Sequence, residues 1–134
     1  MSEILATILA VVLGVVVLLL ILRFVFAGIR RRLARIVEER FRSRDIVRFT
    51  TAANFFGERS RSGLQIRGNG ALVLTRDALH FIRAAPEKAY VVPLSAVTGV
   101  SLPRAFNGKS VLSRLLCVHY VIDGRDDAMA WALK

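Results

Sequence analysis

Residues 4–22 read ILATILAVVLGVVVLLLIL without a charged side chain, and the spacing of apolar positions changes twice after that run. At about 1.5 Å per residue such a segment covers roughly 28 Å, close to the ~30 Å hydrocarbon core of a bilayer. A helix satisfies its own backbone donors and acceptors there, so residues 1–27 are expected to form a transmembrane anchor. A cleaved signal sequence is the alternative, with Val25-Phe26-Ala27 as a small-residue cleavage site. The length of the run and the lack of Lys or Arg before it favour the anchor. Beyond the run, Ile29, Leu33, Ile36, Val37 and Phe41 recur at helical spacing with Arg and Glu between them. This predicts a basic amphipathic helix over 28–43, within a juxtamembrane segment 28–45, either upright as a stalk or lying along the headgroups. Glu38 with Arg42, and Arg35 with Glu39, are its i,i+4 ion pairs.

From Asp45 the apolar runs shorten and turn residues separate them. Strands are expected over 46–53, 71–74, 78–83, 89–92, 97–102, 115–123 and 128–133. The punctuation is Gly68-Asn69-Gly70, Arg76-Asp77, Ala85-Pro86-Glu87, Asn107-Gly108 and Asp123-Gly124, and the last joins two alternating runs as a hairpin should. Such spacing predicts a compact antiparallel sheet closed into a sandwich or barrel over 46–134. Alternation assigns its core to Leu72, Leu74, Leu79, Phe81, Leu116, Val118, Tyr120, Ile122, Met129, Trp131 and Leu133, with Ala128, Ala130 and Ala132 facing the other way. A barrel filled by these side chains holds no ligand cavity. For Phe55 and Phe56, core packing is preferred over an exposed contact patch.

Charge narrows the setting. The chain carries a formal +10, and residues 23–48 concentrate nine Arg against three acids directly after the apolar run. Basic residues stay on the cytoplasmic side, so the N-terminus is expected outside and residues 28–134 inside a plasma membrane, with Arg23, Arg30, Arg31, Arg32 and Arg35 at the membrane surface. Anionic lipid is the nearest partner for that charge; nucleic acid has no supporting motif. A single cysteine, Cys117, excludes an intrachain disulfide and fits a reducing compartment. In the span, Ala6, Ala10 and Gly14 form a small-residue ridge that would permit a homo-oligomer.

The run GNGALVLTRDALHFIRAAPEKAYVVPLSAVTGV at residues 68–100, with Leu74-Thr75, Phe81, Pro93-Leu94 and Val97, resembles the opening of a GRAM or bacterial pleckstrin-homology-like (PH-like) domain. LLCVHYVIDGRDDAMAWALK at 115–134 resembles the final hairpin of that fold. The resemblance covers about residues 46–134 and implies an all-β PH-like split barrel of about seven strands that binds lipid headgroups or protein segments and is not catalytic. Such domains end in a helix that plugs the barrel. Here the sequence given ends after its last strand, so the C-terminal capping helix is expected to be missing or supplied by another helix, such as one from a second copy.

The candidate sites differ in strength. Gly68-Asn69-Gly70 is followed by a strand pattern where a phosphate-binding fingerprint needs a helix, and Gly108-Lys109-Ser110 lacks the earlier glycine of a P-loop, with Pro103 in its place. Cys117 and His119 share a strand face, but two ligands without a third make a poor metal site, so no metal and no cofactor are expected. Spacing nominates no nucleophile beside His80, His119 or the group Asp123, Asp126 and Asp127. Arg59 and Arg61, with Arg67 nearby, follow the first strand, where lipid-binding PH domains carry K-x(n)-[KR]-x-R; Arg48, Arg59 and Arg61 would fill that pattern with Arg in place of its Lys. Arg59, Arg61 and Arg67 are therefore the candidate lipid-binding residues, weighed against ordinary solvated loop charge.

The sequence thus leads to a single-pass, membrane-anchored, non-catalytic module that binds or scaffolds a protein partner at the inner membrane surface. Recognition of anionic lipid headgroups is the alternative, and service as an accessory subunit of a membrane enzyme or transporter is a second one.

Overall fold

A computed structural model describes residues 2–41, 45–61 and 65–134. The end of the expected juxtamembrane helix at Arg42 and Ser43, and with it the Glu38–Arg42 pair, lies outside the described residues. The chain divides into two compact units, residues 1–32 and 33–134. One helix, α1 (Ser2–Arg40), runs through the boundary between them.

In the first unit, α1 exposes its apolar side chains all round, from Ile4 through Phe26. A helix that is apolar on every side has no polar face to give to water. It is long and apolar enough to cross a membrane. Thr7 is accommodated by donating its hydroxyl to the Glu3 carbonyl at 2.8 Å.

The second unit starts with the last turns of α1. Leu33 and Val37, four residues apart, are each only 1% exposed. Phe41 sets the edge of its ring against His80 at 4.8 Å, and Arg40 pairs with Glu87 at 3.4 Å. The apolar stripe expected to serve a free stalk or to lie along headgroups is therefore packed against protein. On the outer face of the sheet Ala71, Val73 and Ile82 are also buried, and His80, which Phe41 touches, stands opposite Val73.

The sheet has seven antiparallel strands: β1 (Ile46–Glu58), β2 (Gly68–Thr75), β3 (Ala78–Ala84), β4 (Glu87–Pro93), β5 (Val97–Ser101), β8 (Leu116–Ile122) and β9 (Arg125–Leu133). A short hairpin of β6 (Ala105–Phe106) and β7 (Lys109–Ser110) lies between β5 and β8. The order is β4-β3-β2-β1-β9-β8-β5. β1 belongs to both halves: it pairs with β2 through Phe55 and with β9 from Ala53 onward, with register shifts between Thr50 and Ala53 and between Phe55 and Gly57. Bulges add twist and bend, and this strand turns the sheet back on itself. Gly57, at φ 99°, takes the left-handed backbone that the second bend requires.

Edge strands β4 and β5 are not paired with each other, so the sheet is not closed. It is nevertheless curled, because side chains from both ends of the order meet in one core. Val92 joins Leu72, Phe81, Phe55, Trp131, Met129, Val118 and Tyr120, with Tyr90 and Val97 packed against them. Phe55 lies 4.9 Å from Phe81 and 5.8 Å from Trp131 between ring centres. The expected core is present in its middle and corrected at its ends: Ile122 and Leu133 are 37% and 45% exposed, because the strands run past the region the sheet encloses. The alanines of β9 face the other way, as expected, and that face is covered as well. Ala128 and Ala130 are fully buried beneath Phe56, Leu115 and Cys117, with Phe106 and Val111 of the hairpin region packed over them. Phe55 and Phe56 therefore enter two different apolar clusters on opposite faces of the sheet.

Candidate functional site

Arg59 and Arg61 sit in a 3-10 turn that ends β1, and both are exposed. That turn is tied to the acidic start of β9. Ser60 donates its N–H to Asp127 Oδ1 at 3.0 Å and its hydroxyl to Oδ2 at 2.6 Å, and the Ala128 N–H reaches Oδ1 at 2.8 Å. Burial works to raise the Asp127 carboxyl, but the hydrogen bonds from Ser60, Ala128 and Tyr120 hold it below the usual carboxylate range. Burial pushes the Tyr120 phenol up, and the charges of Asp127 and Glu58 push it the same way. Arg61 faces Glu58 at 3.9 Å. A hollow of about 710 Å³ at this end of the strands is lined by Ser60, Tyr120, Asp123, Arg125, Asp126 and Asp127. The setting of Arg59 and Arg61 is thus of mixed charge, which weakens an attraction for anions. Arg67 lies just before β2, across the undescribed residues 62–64, and its Nε is buried without a hydrogen-bond partner.

The histidines are placed apart. His80 lies on the outer face under Phe41, where burial lowers its pKa. His119 Nε2 is 2.9 Å from Ser101 Oγ on the neighbouring strand and 3.6 Å from Cys117 Sγ. The shared face of Cys117 and His119 is as expected, and Ser101 is a contact that spacing did not reveal. It makes a hydroxyl–imidazole pair, but no carboxylate is hydrogen-bonded to His119 among the described residues, and burial raises the Cys117 pKa, keeping it a thiol. Among the described residues no three His, Cys, Asp or Glu side chains are placed to hold a metal ion.

The opposite end of the strands is different. There the start of β1, the end of β2, the starts of β3 and β8 and the end of β9 surround a cavity of about 580 Å³. Its walls include Phe49, Leu72, Leu79 and Leu116, and Arg48 and Lys134 contribute the cations. The expectation of a filled barrel without a cavity is therefore corrected. The middle of the curled sheet is filled by Phe55, Phe81 and Trp131, and none of these rings lines the cavity. A cavity of roughly 300–1,000 Å³ is the size that accepts small ligands or inserted side chains. Sequence analysis missed it because its lining comes from residues assigned to core and from Arg48, which was read as part of a headgroup pattern.

The five arginines assigned to the membrane surface, Arg23, Arg30, Arg31, Arg32 and Arg35, are all exposed on α1. Comparison of the chain with family models, curated proteins and solved structures gives no match.

Proposed function

We propose that the chain is a single-pass, membrane-anchored and non-catalytic binding module of the PH-like kind that residues 68–100 resemble, facing the cytoplasm and serving a protein partner. The observation that carries this reading is the open cavity bounded by Phe49, Leu72, Leu79 and Leu116, with Arg48 and Lys134 at it. An apolar wall with cations suits a partner segment that inserts Leu-like or aromatic side chains and carries acidic residues beside them. Headgroup recognition through Arg59, Arg61 and Arg67 has weaker support, since Glu58 and Asp127 share their turn.

Photo-crosslinking tests the reading in cells making the full chain. A benzophenone amino acid in place of Phe49 is expected to give a discrete protein adduct that Arg48→Glu abolishes, while the same probe at exposed Val47 gives none. Lipid adducts alone, or equal adducts at both positions, would refute it. Orientation has its own check: a Ser110→Cys label in a Cys117→Ser background should require permeabilised cells, and labelling of intact cells would place the domain outside.

A further inference from the structure

Residues 97–122 contain no Asp or Glu, and the connection between β5 and β8 carries Arg104, Lys109 and Arg114 within that stretch. The connection has a defined shape. Val111 N–H donates to the Arg104 carbonyl at 2.9 Å, Leu115 N–H to the Pro103 carbonyl at 2.7 Å, and Arg114 Nη1 to the Leu102 carbonyl at 3.0 Å. Asn107 and Gly108, at φ 51° and 75°, make the two-residue turn of the small hairpin, and Asn107 Nδ2 donates to the Glu58 carbonyl at 3.0 Å. Phe106 and Val111 face inward against the cluster over Ala128 and Ala130.

Phe106, Val111 and Leu115 are used for packing, whereas other apolar side chains point away. Leu112 is fully exposed, and Val100 and Leu102 are each more than half exposed. A leucine held in water by a pinned loop that itself carries three cations and no carboxylate matches an interface with an apolar interior beneath an anionic surface. Bilayers of anionic lipid have that layering, and amphipathic elements rich in Lys and Arg bind them through apolar burial and charge together.

We propose that the 102–114 loop docks on an anionic bilayer surface, with Leu112 entering the boundary between headgroups and acyl chains and Arg104, Lys109 and Arg114 meeting lipid phosphates. None of residues 102–114 lines the open cavity, and the loop's cations are distinct from Arg59, Arg61 and Arg67, although Asn107 is hydrogen-bonded to the carbonyl of Glu58 beside Arg59. It rests on the membrane reading of α1, which co-elution of the chain with nanodiscs tests by itself.

The test uses the full chain in nanodiscs, with an environment-sensitive fluorophore on Leu112→Cys in a Cys117→Ser background and a control label on Asp126→Cys at the other end of the strands. Co-elution of protein with nanodiscs reports the anchor and does not depend on the label. In discs containing phosphatidylglycerol, the label at 112 is expected to shift to the blue and to be quenched by spin-labelled acyl chains, while the label at 126 stays aqueous. Raising salt from about 0.1 M to about 1 M, which shortens the screening length from about 10 Å to about 3 Å, should reverse most of the shift. Lys109→Glu with Arg114→Glu should lower the immersed fraction about tenfold. An aqueous label at 112, equal immersion in purely zwitterionic discs, or a shift that lipid quenchers do not reach because a second copy covers the loop, would each overturn the proposal.

Discussion

Replacing Leu33 by Ala tests whether the end of α1 is part of the β-sheet unit. Leu33 is 1% exposed, so the substitution removes three buried carbons, worth roughly 2–3 kcal/mol by transfer and up to about 5 kcal/mol if a cavity remains. Val37→Ala removes two more carbons, or roughly 1.6 kcal/mol. Neither loss can exceed the free energy with which the helix end is docked, because beyond that the segment simply lifts off. The double variant is therefore expected to lose less than the sum of the two, by about 0.5 kcal/mol or more. Trp131 is the only tryptophan and lies in the core against Phe55, which makes its emission a direct report of unfolding in the detergent-solubilised full chain. At about 4–8 °C per kcal/mol for a domain near this size, the transfer loss of Leu33→Ala should lower the midpoint by about 8–24 °C. The exposed control Arg35→Ala should stay within about 0.5 kcal/mol of the parent. A Leu33→Ala midpoint matching that of Arg35→Ala would refute the docked helix end and restore a free stalk.

Gly70→Ala should destabilise by at least about 1–3 kcal/mol in denaturant titrations, because a Cβ there would collide with the Ile82 carbonyl and the Phe81 ring; Gly99→Ala, with open space around it, should be near neutral. Asp127 has a lowered folded-state pKa, so it contributes stability above the ordinary carboxylate pKa of about 4 and loses it as pH falls through the lower folded value. Asp127→Asn should flatten that acid limb of the stability profile, and an unchanged limb would show that the Ser60 contacts contribute nothing. Cys117, the sole cysteine, is buried with a raised pKa, so a thiol reagent at neutral pH should modify it only as fast as the domain opens. Immediate stoichiometric reaction would contradict its burial.

Much of the fold was legible because alternation is a local signal. Val118 and Tyr120 on one strand and Met129 and Trp131 on the next were read as inward-facing, and they are. Asp123-Gly124 was read as a hairpin turn, and φ values of 51° and 73° show the mirror-image turn that joins β8 to β9. What failed was whatever needed a distant partner. A stripe such as Leu33 and Val37 states that one helix face is apolar but not what covers it. Ala128 and Ala130 look like a bland outer face until Phe106 and Val111 fold over them. The candidate arginines show the same limit: Arg59 and Arg61 form a basic pattern in sequence, and Asp127, some 67 residues beyond Ser60, is brought against their turn. The cavity is lined by residues from five separate strands, and no local pattern shows that they share one hollow.

Docking of Leu33 and Val37 also explains how one helix can serve two purposes without conflict. Successive residues on an α-helix turn by about 100°, so Arg31 and Arg35, two positions to either side of Leu33, lie about 160° from it. Burial of the apolar stripe is therefore compatible with exposure of both arginines, as their accessibility shows. The charge that would set topology and attract lipid is not consumed by folding, and the apolar residues that fold are not needed for topology. Substitutions at Arg31 and Arg35 should then alter membrane behaviour with little effect on the Trp131-reported midpoint, whereas substitutions at Leu33 and Val37 should do the reverse. Residues 23–40 of α1 thus carry two separable faces.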